Sequence, residues 1–301
     1  MSKKFFFHIG LPRCASTTIE TVFLVPGNEG CDRLLESRIR PLRNLHDALR
    51  QFTAEPNWDD QFLGQVFDQC IAPDIDAPDT DAFFCSDEGL TLTYSETLPP
   101  PNLNRRAERL ARLLEQFDLT LIILVRNQVA YIQSLYGLHL QSGGTAEFPA
   151  FVNSLPLGAL DWHAVAQAYA NVFGRDRIVV LPFEREIHAA ADTPHADFLE
   201  AFQGALGVKR PLASAEITSF NPGLPVVMMP VQQQINETID RDSAIAVADI
   251  IRSSLTKRAV IDATLFSPDQ ANQVRSAFAR SNQALFETFM PAYDPAPYLP
   301  V

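Results

Sequence analysis

The sequence predicts an α/β domain: a parallel β-sheet flanked by helices on both faces, with a helical C-terminal part. Two observations predict it. Four short apolar segments, residues 5–9 (FFFHI), 82–86 (AFFCS), 119–125 (LTLIILV) and 177–182 (RIVVLP), read as buried strands, and each is followed by helical periodicity. The third is continuous, apolar and bounded by polar residues, the pattern of a strand covered on both faces. In addition, 301 residues at 47% hydrophobic and 20% charged suffice for one large core, so the chain is read as a single domain, 1–301.

In order along the chain, the first strand runs into a Gly-Pro turn and a hydroxyl-rich helix start at Ser16, Thr17 and Thr18. Ile19, Val22 and Phe23 then fall on one helical face. VPGNEG at 25–30 is a turn by its Pro, Gly and Asn content. Residues 31–40 and 42–52 read as helices on either side of Pro41, and 59–71 as another, with Phe62, Val66, Phe67 and Cys70 on one face. The acidic stretch 72–81, with two prolines, reads as a solvated loop. After the second strand come Asp87, Glu88 and Gly89; a charged helix at 104–117 leads into the third strand, which ends in Arg126–Asn127 before a helix at 129–136. Gly143–Gly144 opens a loop, and a helix at 162–173 stops at Gly174, a good C-cap. Residues 198–206 are helical, 211–230 irregular around Asn221–Pro222–Gly223, and 231–290 mostly helical apart from 255–269. The Pro-rich segment PAYDPAPYLP is expected on the surface.

In parallel sheets ligands sit beyond the C-terminal strand ends. That rule puts the loop carrying Arg13, the Asp87–Glu88 pair and Arg126 on one rim. Strand, turn and helix N-terminus make an anion site, because free backbone N–H groups and the helix dipole converge there. Ser134 follows Arg126 by about two helical turns, so both could meet one anion beside the strand end.

Composition narrows the partners. With 24 Lys and Arg against 36 Asp and Glu the net charge is −12, and the pI is near 4.9. That argues against a nucleic-acid binder, which carries a basic footprint, and favours a neutral or cationic small-molecule acceptor. No apolar run approaches the roughly 18 residues of a membrane helix, and no signal peptide is read, so a cytoplasmic setting is expected. Cys14, Cys31, Cys70 and Cys85 show no CxxC spacing and are expected as free thiols, with no metal site. Cys14 stands where a helix N-terminus and Arg13 would lower its pKa.

At these residues the sequence resembles the sulfotransferases that use 3′-phosphoadenosine-5′-phosphosulfate. HIGLPRCASTT (8–18) is similar to the family's 5′-phosphosulfate loop, HIGLPKTGTT in bacterial members, and LVRNQVAYIQSLY (124–136) to its 3′-phosphate motif, LRNPxxRxxSxY. SDEGL, FGRDRIVVLPFE and SNQALFETF are weaker echoes in the right order. The resemblance implies a P-loop NTPase-like sulfotransferase fold and transfer of a sulfuryl group to a hydroxyl or amine of a small-molecule or saccharide acceptor. It implies that Gly10, Leu11, Pro12, Arg13, Cys14, Ala15, Ser16, Thr17 and Thr18 hold the 5′-phosphosulfate. Arg126 and Ser134, with Lys257 or Arg258, would hold the 3′-phosphate. Arg13 would stabilise transition-state charge, and Glu36 or Glu88 would act as base; His46 and His139 could also reach the rim. The segments 31–71 and 143–160 would cover the acceptor.

The chain departs from the pattern at Arg13 (lysine), Cys14 (threonine), Ala15 (glycine), Gln128 (proline) and Tyr131 (arginine). Arginine keeps the charge but is a poor proton donor. Two other readings compete: a P-loop nucleotide kinase, which needs GxxxxGK[ST] where this chain has no lysine, and a non-catalytic nucleotide-binding protein of the same fold.

Overall fold

The computed structural model describes residues 2–52, 59–87, 103–184, 187–188, 198–210, 212, 223–255 and 264–301. Five parallel strands form one sheet: β1 (Lys4–His8), β2 (Ile39–Pro41), β3 (Ala82–Ser86), β4 (Asp118–Val125) and β5 (Ile178–Pro182), in the order β2-β3-β1-β4-β5. The helices are α1 (Ser16–Leu24), α2 (Glu29–Glu36), α3 (Arg43–Phe52), α4 (Asp60–Cys70), α5 (Ala72–Ile75), α6 (Leu103–Leu113) and α7 (Gln128–Gln141). They continue as α8 (Phe148–Ser154), α9 (Trp162–Phe173), α10 (Phe198–Leu206), α11 (Met229–Thr238), α12 (Arg241–Leu255) and α13 (Pro268–Phe289). The expected parallel sheet with flanking helices is therefore what the chain forms.

Alternation along the central strands explains the two layers. Phe5 packs against Phe83 and Phe117 on one face, while His8 and Phe84 pack against Phe202 of α10 on the other. Successive strand side chains point to opposite faces, so each face needs a helical cover, and most strand residues are apolar. All five residues of β3 are buried.

Two expectations need correcting. The stretch 31–40 is not one helix: α2 ends at Glu36, Arg38 takes a left-handed φ of 62°, and β2 follows. Three residues are too few to show a period. What makes them a strand is pairing, Ile39 with Ala82 and Pro41 with Phe84, at a sheet edge where a proline costs no ladder bond. The segment 31–71 thus supplies a sheet edge as well as surface helices. Second, the Pro-rich segment is not simply on the surface, because Tyr298 is wholly buried. The acidic stretch 72–81 begins as the one-turn helix α5.

Helix α13 is fastened across α7 by a pair of buried amides. Gln128 Nε2 donates to Asn282 Oδ1 and Asn282 Nδ2 donates to Gln128 Oε1, both at 3.0 Å. Asn282 also donates to the Tyr298 carbonyl at 2.9 Å, and Gln128 to the Leu160 carbonyl at 3.1 Å. The glutamine in place of proline is thereby a partner for Asn282. Asn282→Ala strands the Gln128 amide in a dry site and should lower the unfolding free energy by about 2–4 kcal/mol, measured by urea denaturation. A loss below about 0.5 kcal/mol would mean the pair holds nothing.

Candidate functional site

The site begins where β1 stops short. His8 is level with Ile122, but β4 runs on to Val125, leaving a notch at the C-terminal edge of the sheet roughly 10 Å deep. The chain fills it with a tight loop. The Ile9 N–H still pairs with the Ile122 carbonyl at 3.0 Å, and the Cys14 N–H turns back to the Leu11 carbonyl at 3.2 Å. Leu11 and Cys14 are fully buried and anchor the loop from below, so Cys14 contributes backbone to the rim and its thiol packs in the core. Arg13 and Ala15 hold left-handed φ angles of 68° and 63°. Each costs roughly 1–3 kcal/mol outside glycine, and such strain is characteristic of ligand-binding loops. At Ala15 the φ explains why a glycine suits this position.

Helix α1 starts at Ser16 with no side-chain cap and no acidic residue in its first turn. Its leading N–H groups face the rim beside a positive dipole end. Ser16 is buried, with Oγ 3.5 Å from the Leu11 carbonyl; Thr18 is buried and Thr17 exposed.

The second half stands at the ends of β4 and β5. Asn127 caps α7, its Oδ1 accepting from the Ala130 N–H at 2.9 Å. The Arg126 guanidinium lies 5.4 Å over the Phe183 ring, and its carbonyl accepts from Trp162 Nε1 at 2.7 Å. Beneath them Glu184 accepts from the Asn127 N–H at 2.6 Å, from Asn127 Nδ2 at 2.9 Å and from the Tyr298 hydroxyl at 2.5 Å. Burial pushes the Glu184 carboxyl up from its ordinary range; these donors and Arg126 pull the other way. Tyr298 is pushed well above the usual phenol range by burial and by Glu184. Tyr131 is buried edge-on against Trp162, with ring centroids 4.9 Å apart, and serves the core.

The two halves meet. Arg13 Nε donates to Ser134 Oγ at 3.0 Å, joining residues 121 positions apart. Gly223 closes over this contact; a methyl group there would stand 3.2 Å from a terminal nitrogen of Arg13.

A polar cluster stands on the β1/β3 side of the rim; His46 and Asp87 were expected near it, and Glu20 was not. His46 Nδ1 donates to the Ser86 carbonyl at 2.5 Å and lies 3.9 Å from Glu20 Oε1. Asp87 is buried, its N–H on the His8 carbonyl at 2.8 Å. Asp87 and Glu20 both add to the burial that holds the Cys85 thiol well above its ordinary value. Only the fold brings α1, α3 and β3 together, though the Ser16–Glu20 spacing of one helical turn was a readable hint. Glu36, by contrast, is at the other end of the sheet. It closes α2 just before β2 begins, exposed, and pairs with Arg33 at 3.0 Å. Its spacing from Arg13 matched, but α2 carries it toward the N-terminal edge. His139 stacks in an aromatic cluster with Tyr136 and Phe151. Glu88, Lys257 and Arg258 lie outside the described residues; among the described residues there is no metal-binding cluster and no helix long and apolar enough to cross a membrane.

No family model matches the chain, and no curated protein matches it. Among solved structures it is similar to a sulfotransferase from Alicyclobacillus acidocaldarius, at 14% identity, over 86% of this chain and 98% of that one, with a TM-score of 0.42. At that distance the likeness bears no weight for activity, and the functional reading stands on the site.

The His8 ring is fully buried under the loop, with Nδ1 2.9 Å from Ser86 Oγ. A Cβ at Gly10 would sit 2.2 Å from its Nε2, so the loop needs glycine there. Burial lowers the His8 pKa to about 3. The unfolded chain binds a proton on His8 below its ordinary value near 6.5 while the folded chain does not. Stability from this residue is therefore full above pH 6.5 and is lost as pH falls toward 3, by up to ~1.4 kcal/mol per pH unit. Urea denaturation between pH 7.5 and 5 should show that slope, flattened in His8→Gln; an equal slope in both proteins would assign it to other groups.

Proposed function

We propose that this chain is a sulfotransferase, moving a sulfuryl group from 3′-phosphoadenosine-5′-phosphosulfate to a hydroxyl or amine of a small-molecule or saccharide acceptor. The observation that carries the reading is the Arg13–Ser134 hydrogen bond: the loop cation and the serine of the second motif share one crevice at the strand ends. The residues fit such a donor. An uncapped helix start with no carboxylate in its first turn suits a 5′-phosphosulfate, and a rim arginine held over the Phe183 ring suits a 3′-phosphate.

In this reading the amides of residue 13 and of residues 15–18, the hydroxyl-rich start of α1 at Ser16, Thr17 and Thr18, and the Arg13 guanidinium bind the 5′ end. Arg126 and Ser134 bind the 3′-phosphate, with Lys257 or Arg258 as further candidates. The bound donor supplies an activated sulfuryl group whose leaving oxygen belongs to a phosphate. Arg13 neutralises charge developing on that oxygen and gives no proton to it. Ser134 can accept from Arg13 while its own O–H points to an anion, so it couples the two ends.

For the acceptor proton, the geometry favours His46 over Glu36. Its Nδ1–H is committed to the Ser86 carbonyl, which leaves Nε2 as the nitrogen able to accept a proton. Glu88 remains a second candidate.

Adenosine 3′,5′-bisphosphate should bind the protein, and ATP with Mg²⁺ should not displace it; displacement would favour a kinase. Label transfer from ³⁵S-donor to an acceptor panel should fall about 10²–10³-fold in Arg13→Ala. Arg13→Lys should shift the rate markedly while binding persists. Absence of turnover with either arginine or lysine would leave a binding protein and overturn the enzymatic reading.

A further inference from the structure

We infer that Tyr298 is a positioning residue of the 3′-phosphate subsite, acting through the Glu184 carboxylate on the Arg126–Asn127 turn. This inference rests on the reading proposed above.

Arg126 is clamped on both sides by groups that converge on Tyr298. The residue before it, Val125, has its carbonyl 3.2 Å from the Tyr298 hydroxyl. The residue after it, Asn127, gives both its main-chain and side-chain N–H to Glu184 Oε1. The other carboxylate oxygen accepts the Tyr298 proton. A carboxylate is the stronger acceptor and the shorter contact, so the phenol proton belongs there and the Val125 contact is secondary. With both oxygens engaged the carboxylate cannot rotate, and its plane fixes where Asn127 sits. Phe183, the platform under the Arg126 guanidinium, is the residue before Glu184 and moves with it.

Tyr298 is itself fixed. Its ring packs edge-on against Phe286 of α13 at 5.0 Å, and its carbonyl accepts from Asn282. Its hydroxyl reaches both the Val125 carbonyl and the Glu184 carboxylate, which puts it directly under the Arg126–Asn127 turn. A Pro-rich segment has no propensity to fold back on a sheet edge, yet this one delivers a single buried hydroxyl to that point. Without the hydroxyl, Glu184 Oε2 loses its Tyr298 donor in a dry pocket, and the carboxyl must turn or bind a proton. Either response loosens the Asn127 anchor and with it the direction of Arg126.

The test compares two nucleotides by calorimetry on the full chain. Adenosine 3′,5′-bisphosphate engages both half-sites; adenosine 5′-monophosphate lacks the 3′-phosphate. In Tyr298→Phe the bisphosphate should bind about tenfold more weakly, while the monophosphate stays within about twofold. A merely structural loss would weaken both alike, so equal losses, or none, overturn the inference. Glu184→Ala gives an independent variant: it should show the same selective loss, and Glu184→Gln, whose amide oxygen can still accept from Asn127, should recover part of it. Equal selectivity in Glu184→Ala and wild type also overturns the inference. The reading beneath it has its own control. If wild type prefers the bisphosphate and Arg126→Ala abolishes that preference, the two-phosphate reading stands whatever Tyr298 does. If wild type shows no preference, that reading falls and takes this inference with it.

Discussion

One buried carboxylate holds the working end of this molecule together. Glu184 lies two residues beyond β5, yet it takes donors from the start of α7 and from a residue near position 300. A buried carboxylate is expensive unless its oxygens are filled; here both are. Satisfying it forces the β4–α7 turn, the β5 end and the Pro-rich segment into one place. The adjacent Gln128–Asn282 amides satisfy one another in the same way and bring α13 into the arrangement. Polar groups that cannot be left alone therefore decide where Arg126 stands.

The opposite half of the rim is built by a different constraint, backbone geometry. The loop after β1 must cross from a strand that ends early to a helix that starts beneath it. It does so with Arg13 and Ala15 in left-handed conformations and with Leu11 and Cys14 driven into the core. Strain in the loop and apolar anchorage below it oppose each other, and the outcome turns the first amides of α1 toward the crevice. On a chain of net charge −12, Arg13 and Arg126 bring two cations to the rim.

Much of this was legible in the sequence. The strands at 82–86 and 119–125 were marked by continuous apolar runs, and the helix start at Ser16 by its hydroxyls. The motif residues Arg13, Arg126 and Ser134 were singled out by pattern; the sequence paired Ser134 with Arg126, and the contact the structure shows is Ser134 with Arg13. What was illegible depends on contacts distant in sequence. Three residues at 39–41 have no period and become β2 only because β3 offers an edge. Tyr298 sits in a proline-rich segment that reads as surface until Glu184 is placed under it. The carboxylate at Glu36 had the right spacing and the wrong direction, since spacing along the chain does not reveal which way α2 runs. Glu20 was the converse, unremarkable in sequence yet adjacent in space to His46.

The central claim is that two anion-binding half-sites share one crevice, and a crystal structure of the protein with adenosine 3′,5′-bisphosphate tests it most directly. The account predicts the 5′-phosphate against the amides at the start of α1 and beside Arg13, and the 3′-phosphate within hydrogen-bond reach of Arg126 and Ser134. A nucleotide bound with its 3′-phosphate away from both residues, or bound elsewhere with the loop empty, would contradict it.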